Sequence, residues 1–321
     1  MMKIVDEDSE GVTVRGAKML GTSAVMANEV FVAHLQPLRP EEVDYAISFA
    51  VPMNIPGLKI LSRKSYEKHA VSEFDNPLAS RYDENDALMY FDDVKVPWER
   101  IFAYRDPEMC RRQFHDTPGH IYQNYQAQIR LTVKLKFLVG LAREICEVIG
   151  TVKIPSVADS LGKMAAQATA VENLMIGMEV KGRAWGEYFV PDRHAVYAAQ
   201  TLTQELYPQM INTLRELAGG ALIMLPSSSA DYDNPEVASI IQGVQVSADG
   251  RSDTDRVKLL KLAWDAIGSE FAGRHTQYEM FYAGAQFVTR AHSMRTYDWE
   301  GAASLVSNIT DRYDLEPGNS N

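Results

Sequence analysis

The chain has 321 residues, of which 46% are hydrophobic and 23% are charged. This composition is typical of a globular protein and excludes whole-chain disorder or a coiled coil. The formal net charge of -11 at pH 7 comes without any run of basic residues, which argues against a nucleic-acid-binding protein. Because only two cysteines occur, neither a disulfide framework nor a thiolate zinc site is expected.

Targeting and membrane signals are absent from the sequence pattern. The first eleven residues are acidic, and no later run approaches the roughly 20 apolar residues that cross a bilayer. We therefore predict a soluble cytoplasmic protein without a membrane partner.

Residues 1–115 are predicted to form an antiparallel β domain. Short segments rich in Val, Ile, Phe and Tyr alternate with Pro and Gly turns, as in half-buried strands. The predicted strands are Val12–Val14, Val25–His34, Asp44–Val51, Leu58–Leu61 and Ala87–Val96. A loop is predicted over Arg105–Gly119.

Residues 116–308 have a helical hydrophobic period, which predicts a four-helix bundle and an α+β fold class. Apolar residues recur every three or four positions after Pro155, which marks a helix start. The predicted helices are Tyr122–Ile149, Ser156–Tyr188, His194–Leu217 and Ser252–Tyr282. Residues 309–321 are predicted to be a frayed tail. The order of sheet and then helices argues against a doubly wound dinucleotide fold.

Generic catalytic motifs are missing. The seven histidines form no H-E-x-x-H pattern and no Cys/His cluster, which disfavours a zinc hydrolase. Ser227-Ser228-Ser229 lacks the G-x-S-x-G frame of a nucleophile elbow, and a polar loop is the simpler interpretation.

Four sequence blocks are more informative. Their residues are Gly16–Ser23 (GAKMLGTS), Asp92–Arg100 (DDVKVPWER), Glu216–Ser227 (ELAGGALIMLPS), and Ala263-Trp264-Asp265 with Gly268–His275 (GSEFAGRH), which runs on to Gly284. In this order they resemble the 4-hydroxyphenylacetate 3-hydroxylase family, the oxygenase component of two-component flavin-dependent monooxygenases. The resemblance extends from about Gly11 to Gly284.

The resemblance implies an acyl-CoA dehydrogenase-like fold. Such proteins have an N-terminal helical domain, a middle β domain and a C-terminal helical bundle that tetramerises. The expectation for this chain is an antiparallel β domain over 1–115 and a helical bundle over 116–308, without the N-terminal helical domain.

The resemblance also implies an FADH2-dependent phenol hydroxylase. It would insert one atom of O2 ortho to a phenol hydroxyl through a flavin C4a-hydroperoxide. Because nothing here resembles an NAD(P)H site, a separate NAD(P)H:flavin reductase is implied as the source of reduced FAD. A homotetramer or dimer of dimers is expected, and no metal is expected.

Two turns are implied to bind the flavin. Thr22 is expected to bond the edge of the isoalloxazine ring, with Ser23 behind it; alternatively, this pair satisfies its own backbone at a strand entry. The pair Gly219-Gly220 is expected to approach the pyrophosphate, often from a neighbouring subunit, because a Cβ would hold the backbone away. A helix C-cap explains the glycines equally well.

A further flavin-contacting loop is implied at Gly273, Arg274 and His275, where Arg274 would pair with a phosphate or a flavin carbonyl. The alternative is an ordinary surface arginine. For catalysis, His34 and His120 are candidate bases that would favour the phenolate, and each could equally be an ordinary loop histidine. The phenol-binding residues of the family lie in the N-terminal segment and are not carried over.

Two other functions are compatible with parts of this pattern. The dehydratase branch of the family binds a [4Fe-4S] cluster through three cysteines and a histidine, and this chain has two cysteines with none between Ile121 and Ile145, which disfavours it. The second is a split or truncated non-catalytic paralogue, which would need a separate chain for the N-terminal domain and would serve in oligomerisation or flavin binding.

Overall fold

A computed structural model describes residues 1–314. Within these residues, a β layer is followed by a helical region, which confirms the predicted α+β class. The strands of the layer are β1 (Lys3–Glu7), β2 (Gly11–Lys18), β3 (Glu29–Val32), β4 (Ile47–Pro52), β5 (Leu58–Ser62), β6 (Ala87–Pro97) and β7 (Ile101–Tyr104).

The β layer consists of two antiparallel sheets, in the strand orders β1-β2-β6-β5 and β3-β4-β7. Apolar side chains from both sheets form one core, in which Phe49 of β4 meets Phe91 of β6 edge to face with ring centroids 5.7 Å apart. Such aromatic contacts stabilise beyond the area they bury. The two sheets therefore pack as a sandwich.

The predicted strands are largely confirmed, with differences at their starts. Residues Ala24–Met26 form a 3-10 turn and the strand begins only at Glu29, so the prediction of a strand from Val25 was wrong over its first part. A second 3-10 turn at Val43–Tyr45 likewise precedes β4. The sequence prediction did not include β1 or β7, because each is short and flanked by charged residues.

The helical region is built on long helices that share one core. Their bounds are α1 (Ala79–Tyr82), α2 (Pro107–His115), α3 (Gly119–Ile149), α4 (Pro155–Val180), α5 (Arg193–Ala218), α6 (Pro235–Val244), α7 (Asp253–Ile267), α8 (Glu270–Phe281), α9 (Gln286–Thr296) and α10 (Trp299–Thr310). Leu135, Met164, Met210 and Leu260, from α3, α4, α5 and α7, are fully buried together. Among residues 1–314, no helix has both the length and the apolar character needed to span a membrane.

Two predicted helices are shorter than expected. The helix predicted over Ser156–Tyr188 ends at Val180, and a hairpin of β8 (Arg183–Trp185) and β9 (Tyr188–Val190) follows. Gly186 has a φ of 60° in the hairpin turn, which glycine adopts without strain.

The helix predicted over Ser252–Tyr282 is instead two helices, α7 and α8. The break lies at Gly268-Ser269, where the Ser269 hydroxyl accepts the N–H of Ala272 at 3.2 Å and caps α8.

Two further expectations need correction. The predicted loop Arg105–Gly119 contains α2, which Asp106 caps by accepting the N–H of Met109 at 2.8 Å. At the other end, α10 continues to Thr310, past the predicted start of the tail at residue 309. Residues 315–321 of that tail lie outside the described residues.

Buried polar contacts fix the β layer to the helices. Asp265 of α7 is fully buried, and its Oδ2 accepts the N–H groups of Leu78 at 2.8 Å and Ala79 at 2.7 Å. Nearby, Asp75 and Lys261 form an ion pair at 2.9 Å with side chains 4% and 9% exposed.

The Asp75 carboxylate predicts a pH dependence of stability. Burial alone would raise its pKa, but hydrogen bonds from the Ser229 N–H and hydroxyl, Ser72 and Lys261 lower the pKa to about 2 from 3.8. Because the pKa of Asp75 is lower in the folded than in the unfolded protein, the ionised carboxylate stabilises the fold at pH values above the unfolded pKa. This stabilisation is lost as the pH falls towards the folded-state pKa of about 2. The stabilisation by Asp75 should fall by roughly 1 kcal/mol between pH 6 and pH 3.

Urea unfolding of wild type and Asp75→Asn at both pH values measures this change. The difference in unfolding free energy between the two proteins should shrink at pH 3. A constant difference would contradict the assignment.

Candidate functional site

Residues 19–23, between β2 and the 3-10 turn, form a tight turn that we call the Thr22 turn. Leu20 and Ser23 have φ values of 63° and 60°, in the left-handed region that non-glycine residues rarely adopt. The Gly21 N–H donates to the Ala87 carbonyl at 2.9 Å, and the Ser23 N–H donates to the Asn85 carbonyl at 2.6 Å. The turn is thus held against the start of β6. Strained backbone of this kind clusters at functional sites.

The surface around the Thr22 turn is apolar. Met19, Leu20 and Met26 are 77%, 79% and 78% exposed, and Thr22 lies exposed between them. A contiguous apolar surface next to polar groups is typical of a ligand or partner contact. The turn therefore offers both apolar area and a hydroxyl group.

A carboxylate joins the Thr22 turn to the helical region. The Thr22 hydroxyl donates to Asp86 Oδ1 at 2.8 Å, and Arg274 of α8 donates to Oδ1 at 2.8 Å and to Oδ2 at 2.9 Å. Arg63 Nε also donates to Oδ2 at 2.9 Å. We call Thr22, Arg63, Asp86 and Arg274 the Asp86 cluster. Through Asp86, the Thr22 turn of the β layer is bonded to α8, which lies far from it in the sequence.

The charge on Asp86 fixes the direction of its hydrogen bonds. Burial alone would raise its pKa, but bonds from Arg274, Arg63 and Thr22 hold the pKa well below its ordinary value. The carboxylate therefore stays ionised and accepts only. Because the single hydroxyl proton of Thr22 is committed to Asp86, Thr22 Oγ1 offers a ligand lone pairs alone.

Arg274 is held in place by acids from the β layer. Its Nε and Nη2 donate to Asp86, and its Nη1 donates to Glu84. A guanidinium carries five N–H groups, so two remain beyond these three bonds. The expected contact of Arg274 with a phosphate or a flavin carbonyl stays a prediction, and it would use those two.

His275, the next residue of α8, presents a buried N–H group. Its Nδ1 lies 3.4 Å from Lys134 Nζ, and because a lysine only donates, the proton of the ring is assigned to Nε2. Burial first, then Lys134 and Arg274, lower the pKa of His275 to about 3, so the ring is neutral. Within residues 1–314, the buried Nε2 atom has no hydrogen-bond partner. Buried polar atoms without partners are rare and indicate a missing ligand or water.

The glycine pair lies at the C-terminal end of α5, and within residues 1–314 no hydrogen bond joins it to the Thr22 turn. Gly219 has a φ of 52° and caps α5, and Gly220 follows in a 3-10 turn over Gly219–Leu222. The nearby Arg215 donates to the Ile267 carbonyl at 2.6 Å, so this end of α5 packs against α7. Apart from the adjoining residues and the backbone of the same helix, a Cβ on either glycine, or on Gly273, would meet no described atom within 4 Å.

The two candidate bases lie outside the Asp86 cluster. His34 is buried in the β layer, and its Nδ1 lies 3.0 Å from the Gln36 carbonyl. His120 Nδ1 lies 2.9 Å from the Tyr197 hydroxyl. Burial lowers the pKa of both rings, and burial together with His115 and His292 lowers that of His120 to about 4. A catalytic role for either stays a prediction.

Asp86 and Arg63 carry no sequence signal that marks them as site residues. Asp86 ends the acidic run Asp83-Glu84-Asn85-Asp86 before β6, a position that reads as an ordinary exposed turn. The role of Asp86 as an anchor depends on its contact with Arg274, which is 188 residues away in the sequence. Within residues 1–314, no three His, Cys, Asp or Glu side chains are placed to hold a metal ion.

Two family models together match most of the chain. Residues 1–103 match the family model "4-hydroxyphenylacetate 3-hydroxylase N terminal", and residues 110–311 match "4-hydroxyphenylacetate 3-hydroxylase C terminal". A 4-hydroxyphenylacetate 3-monooxygenase oxygenase component from Pseudomonas aeruginosa is 36% identical over 93% of this chain and 58% of its own length. A 4-nitrophenol 2-monooxygenase oxygenase component from Rhodococcus is 35% identical over 98% of this chain and 61% of its own.

Solved structures give the same match. The oxygenase component of 4-hydroxyphenylacetate 3-monooxygenase, in complex with FAD and 4-hydroxyphenylacetate, superposes with a TM-score of 0.90 and 28% identity over 97% of this chain and 64% of that one. Butyryl-CoA dehydrogenase from Megasphaera elsdenii has a TM-score of 0.55 at 15% identity over 94% of this chain and 63% of that one, which shows a shared fold alone. The chain thus spans about three fifths of the length of the curated relatives it matches.

Proposed function

The chain belongs to the 4-hydroxyphenylacetate 3-hydroxylase family, and from this premise we propose that it acts in a flavin-dependent phenol hydroxylase as the oxygenase component. The proposed substrates are O2 and a phenol, and the product carries a new hydroxyl group ortho to the first. The proposed cofactor is FADH2, delivered by a separate NAD(P)H:flavin reductase. The names of both curated relatives support this reaction class.

The Asp86 cluster is the observation that carries the proposal. Bound FADH2 would supply the electrons that activate O2. Thr22 Oγ1, which can only accept, fits an N–H group on the edge of a flavin ring, and reduction of the ring adds an N–H at N5 that an oxidised ring lacks. Met19 and Leu20 provide exposed apolar surface for the flat ring. Ser23 lies behind Thr22 in the same turn.

Donors for the oxygen atoms of the cofactor come from α8. The two uncommitted N–H groups of Arg274 and the Nε2–H of His275 fit a flavin carbonyl or a phosphate. Gly273 leaves open space on the same helix. We therefore keep Gly273, Arg274 and His275 as proposed cofactor-binding residues.

The glycine pair is proposed to bind the cofactor of a neighbouring subunit. It lies apart from the Thr22 turn, and its backbone is open to a close approach. This proposal requires an oligomer, and we propose a homotetramer. Support comes from α10, which has no buried residue while Trp299, Leu305 and Ile309 are 55%, 69% and 64% exposed. An apolar helix face of this kind is normally covered by another surface.

A reductase-coupled assay under 18O2 tests the proposed reaction. With a flavin reductase, NADH, FAD and either 4-hydroxyphenylacetate or 4-nitrophenol, we expect an ortho-hydroxylated product that contains one 18O atom by mass spectrometry. Omission of the reductase is the control and should abolish the product. Oxidation of NADH to give hydrogen peroxide without a hydroxylated product from either phenol would contradict the proposal.

A further inference from the structure

A groove distinct from the Asp86 cluster lies beside the β8–β9 hairpin. It consists of two cavities of about 320 and 280 Å³ that share the lining residues Ile121, Arg183, Val190 and Arg193. We call it the hairpin groove. Cavities of this size are at the lower end of the range of small-molecule sites, roughly 300–1,000 Å³. No member of the Asp86 cluster lines either cavity.

The hairpin groove carries an excess of positive charge. Lys181, Arg183 and Arg193 line it, and within residues 1–314 none of them forms an ion pair with a carboxylate. Two acidic residues also line the groove, and among the described residues only one of them is paired with a cation outside it. Asp192 accepts the N–H of Ala195 at 2.8 Å, and Asp116 pairs with Arg112 at 2.6 Å. In a chain with a net charge of -11, such a concentration of free cations favours an anionic ligand.

Arg193 is partly preorganised for this role. Its Nη2 donates to the His115 carbonyl at 3.1 Å, which fixes the guanidinium, while its buried Nε has no partner among the described residues. α3 begins at Gly119, next to the groove residues Thr117 and Pro118. The Thr117 hydroxyl accepts the N–H of Gly119 at 3.2 Å, and Pro118 gives the helix no side-chain cap. The positive end of that helix adds to the attraction for an anion.

The remaining walls are apolar. Ile121 and Val190 are buried at 4% and 3% exposure, and the ring of Trp185 is 45% exposed where it lines the larger cavity. An indole ring stacks well on another flat ring. The groove thus combines cations on one side with a surface for an aromatic ring on the other.

We propose that the hairpin groove binds an aromatic anion, in which a carboxylate or phosphate group meets Arg183 and Arg193 and the ring lies against Trp185. A carboxylate and a phosphate can both accept charge-assisted hydrogen bonds from the two arginines. A phenol without an acid group lacks the negative charge that these contacts need.

Calorimetric titration of the full chain without flavin tests the proposal. The probes are phenyl phosphate, benzoate, inorganic phosphate and neutral benzyl alcohol. We expect phenyl phosphate or benzoate to bind, with the stronger of the two identifying the acid group, and benzyl alcohol to give no heat. Trp185→Leu should weaken binding of the aromatic anion and leave inorganic phosphate unchanged. Absence of binding by both aromatic anions, or equal affinity for phenyl phosphate and inorganic phosphate, would overturn the proposal.

A matched pair of variants separates the groove from general charge. Lys181→Gln with Arg183→Gln should weaken binding about tenfold, because charge-assisted hydrogen bonds are lost. The control, Lys153→Gln with Lys163→Gln, removes the same net charge at exposed positions outside the groove and should leave binding unchanged. Equal weakening by both pairs would refute a specific site. The replaced side chains are all exposed, and thermal melts followed by circular dichroism verify the folded state.

Discussion

Replacement of Asp86 by alanine is expected to lower the free energy of unfolding by about 3 kcal/mol, because it leaves two partly buried arginines short of a counter-charge. Arg63 and Arg274 are 20% and 12% exposed at their side chains, and both donate to Asp86. Arg63 also pairs with Asp83, and Arg274 also pairs with Glu84. These remaining ion pairs limit the loss of stability. Urea unfolding followed by circular dichroism measures the change.

A surface aspartate provides the control for Asp86. Asp92 pairs with Lys59 at 2.6 Å, but the side chains are 46% and 60% exposed. Its replacement by alanine should change the free energy of unfolding by less than about 1 kcal/mol. If the two variants were destabilised equally, Asp86 would not be the anchor between the β layer and α8.

Replacement of Lys134 by methionine should also destabilise the fold by about 3 kcal/mol, because a buried carboxylate then lacks its partner. Lys134 of α3 pairs with Glu279 of α8, whose side chain is 5% exposed. Lys134 Nζ also lies 5.6 Å from the centre of the Tyr207 ring, a further favourable contact. Thermal and urea unfolding measure the loss.

Two companion variants sharpen this prediction. Lys136, two residues along the same helix, pairs with Glu172 at 2.5 Å with side chains 55% and 34% exposed, and Lys136→Met should cost less than about 1 kcal/mol. The double variant Lys134→Met with Glu279→Leu should recover most of the stability, since apolar residues often replace a buried ion pair without loss. A double variant as unstable as Lys134→Met would show that the lost charge is not the cause.

The sequence predicted the long elements well and their interruptions poorly. The bounds of α5 were predicted within one residue, because a continuous apolar stripe begins right after the cap residue Asp192. The prediction extends the helix through β8 to Tyr188, at the start of β9, because Trp185 and Tyr188 continue the helical spacing as readily as they fill strands. At Gly268-Ser269 the apolar stripe persists across the break, and only the capping hydrogen bond of Ser269 reveals it.

The proposed site was accessible from the sequence only in part. Thr22 and Arg274 were indicated by resemblance, and the structure brings both onto Asp86. The carboxylate itself could not be predicted, because an aspartate in an acidic turn gains its role only from partners distant in the chain. The same holds for the N–H of His275, which has no partner within residues 1–314 and whose place on the ring depends on Lys134 of another helix.

Anaerobic titration with FADH2 and with FAD tests the central claim, that Thr22 on its Asp86 anchor contacts a reduced flavin. Wild type should bind FADH2 more tightly than FAD, and Thr22→Val should weaken binding of FADH2 about tenfold through loss of the accepting oxygen. Thr169→Val, an exposed threonine of α4, is the control and should bind like wild type. Equal affinity of Thr22→Val and wild type for FADH2 would contradict the account and place the cofactor elsewhere.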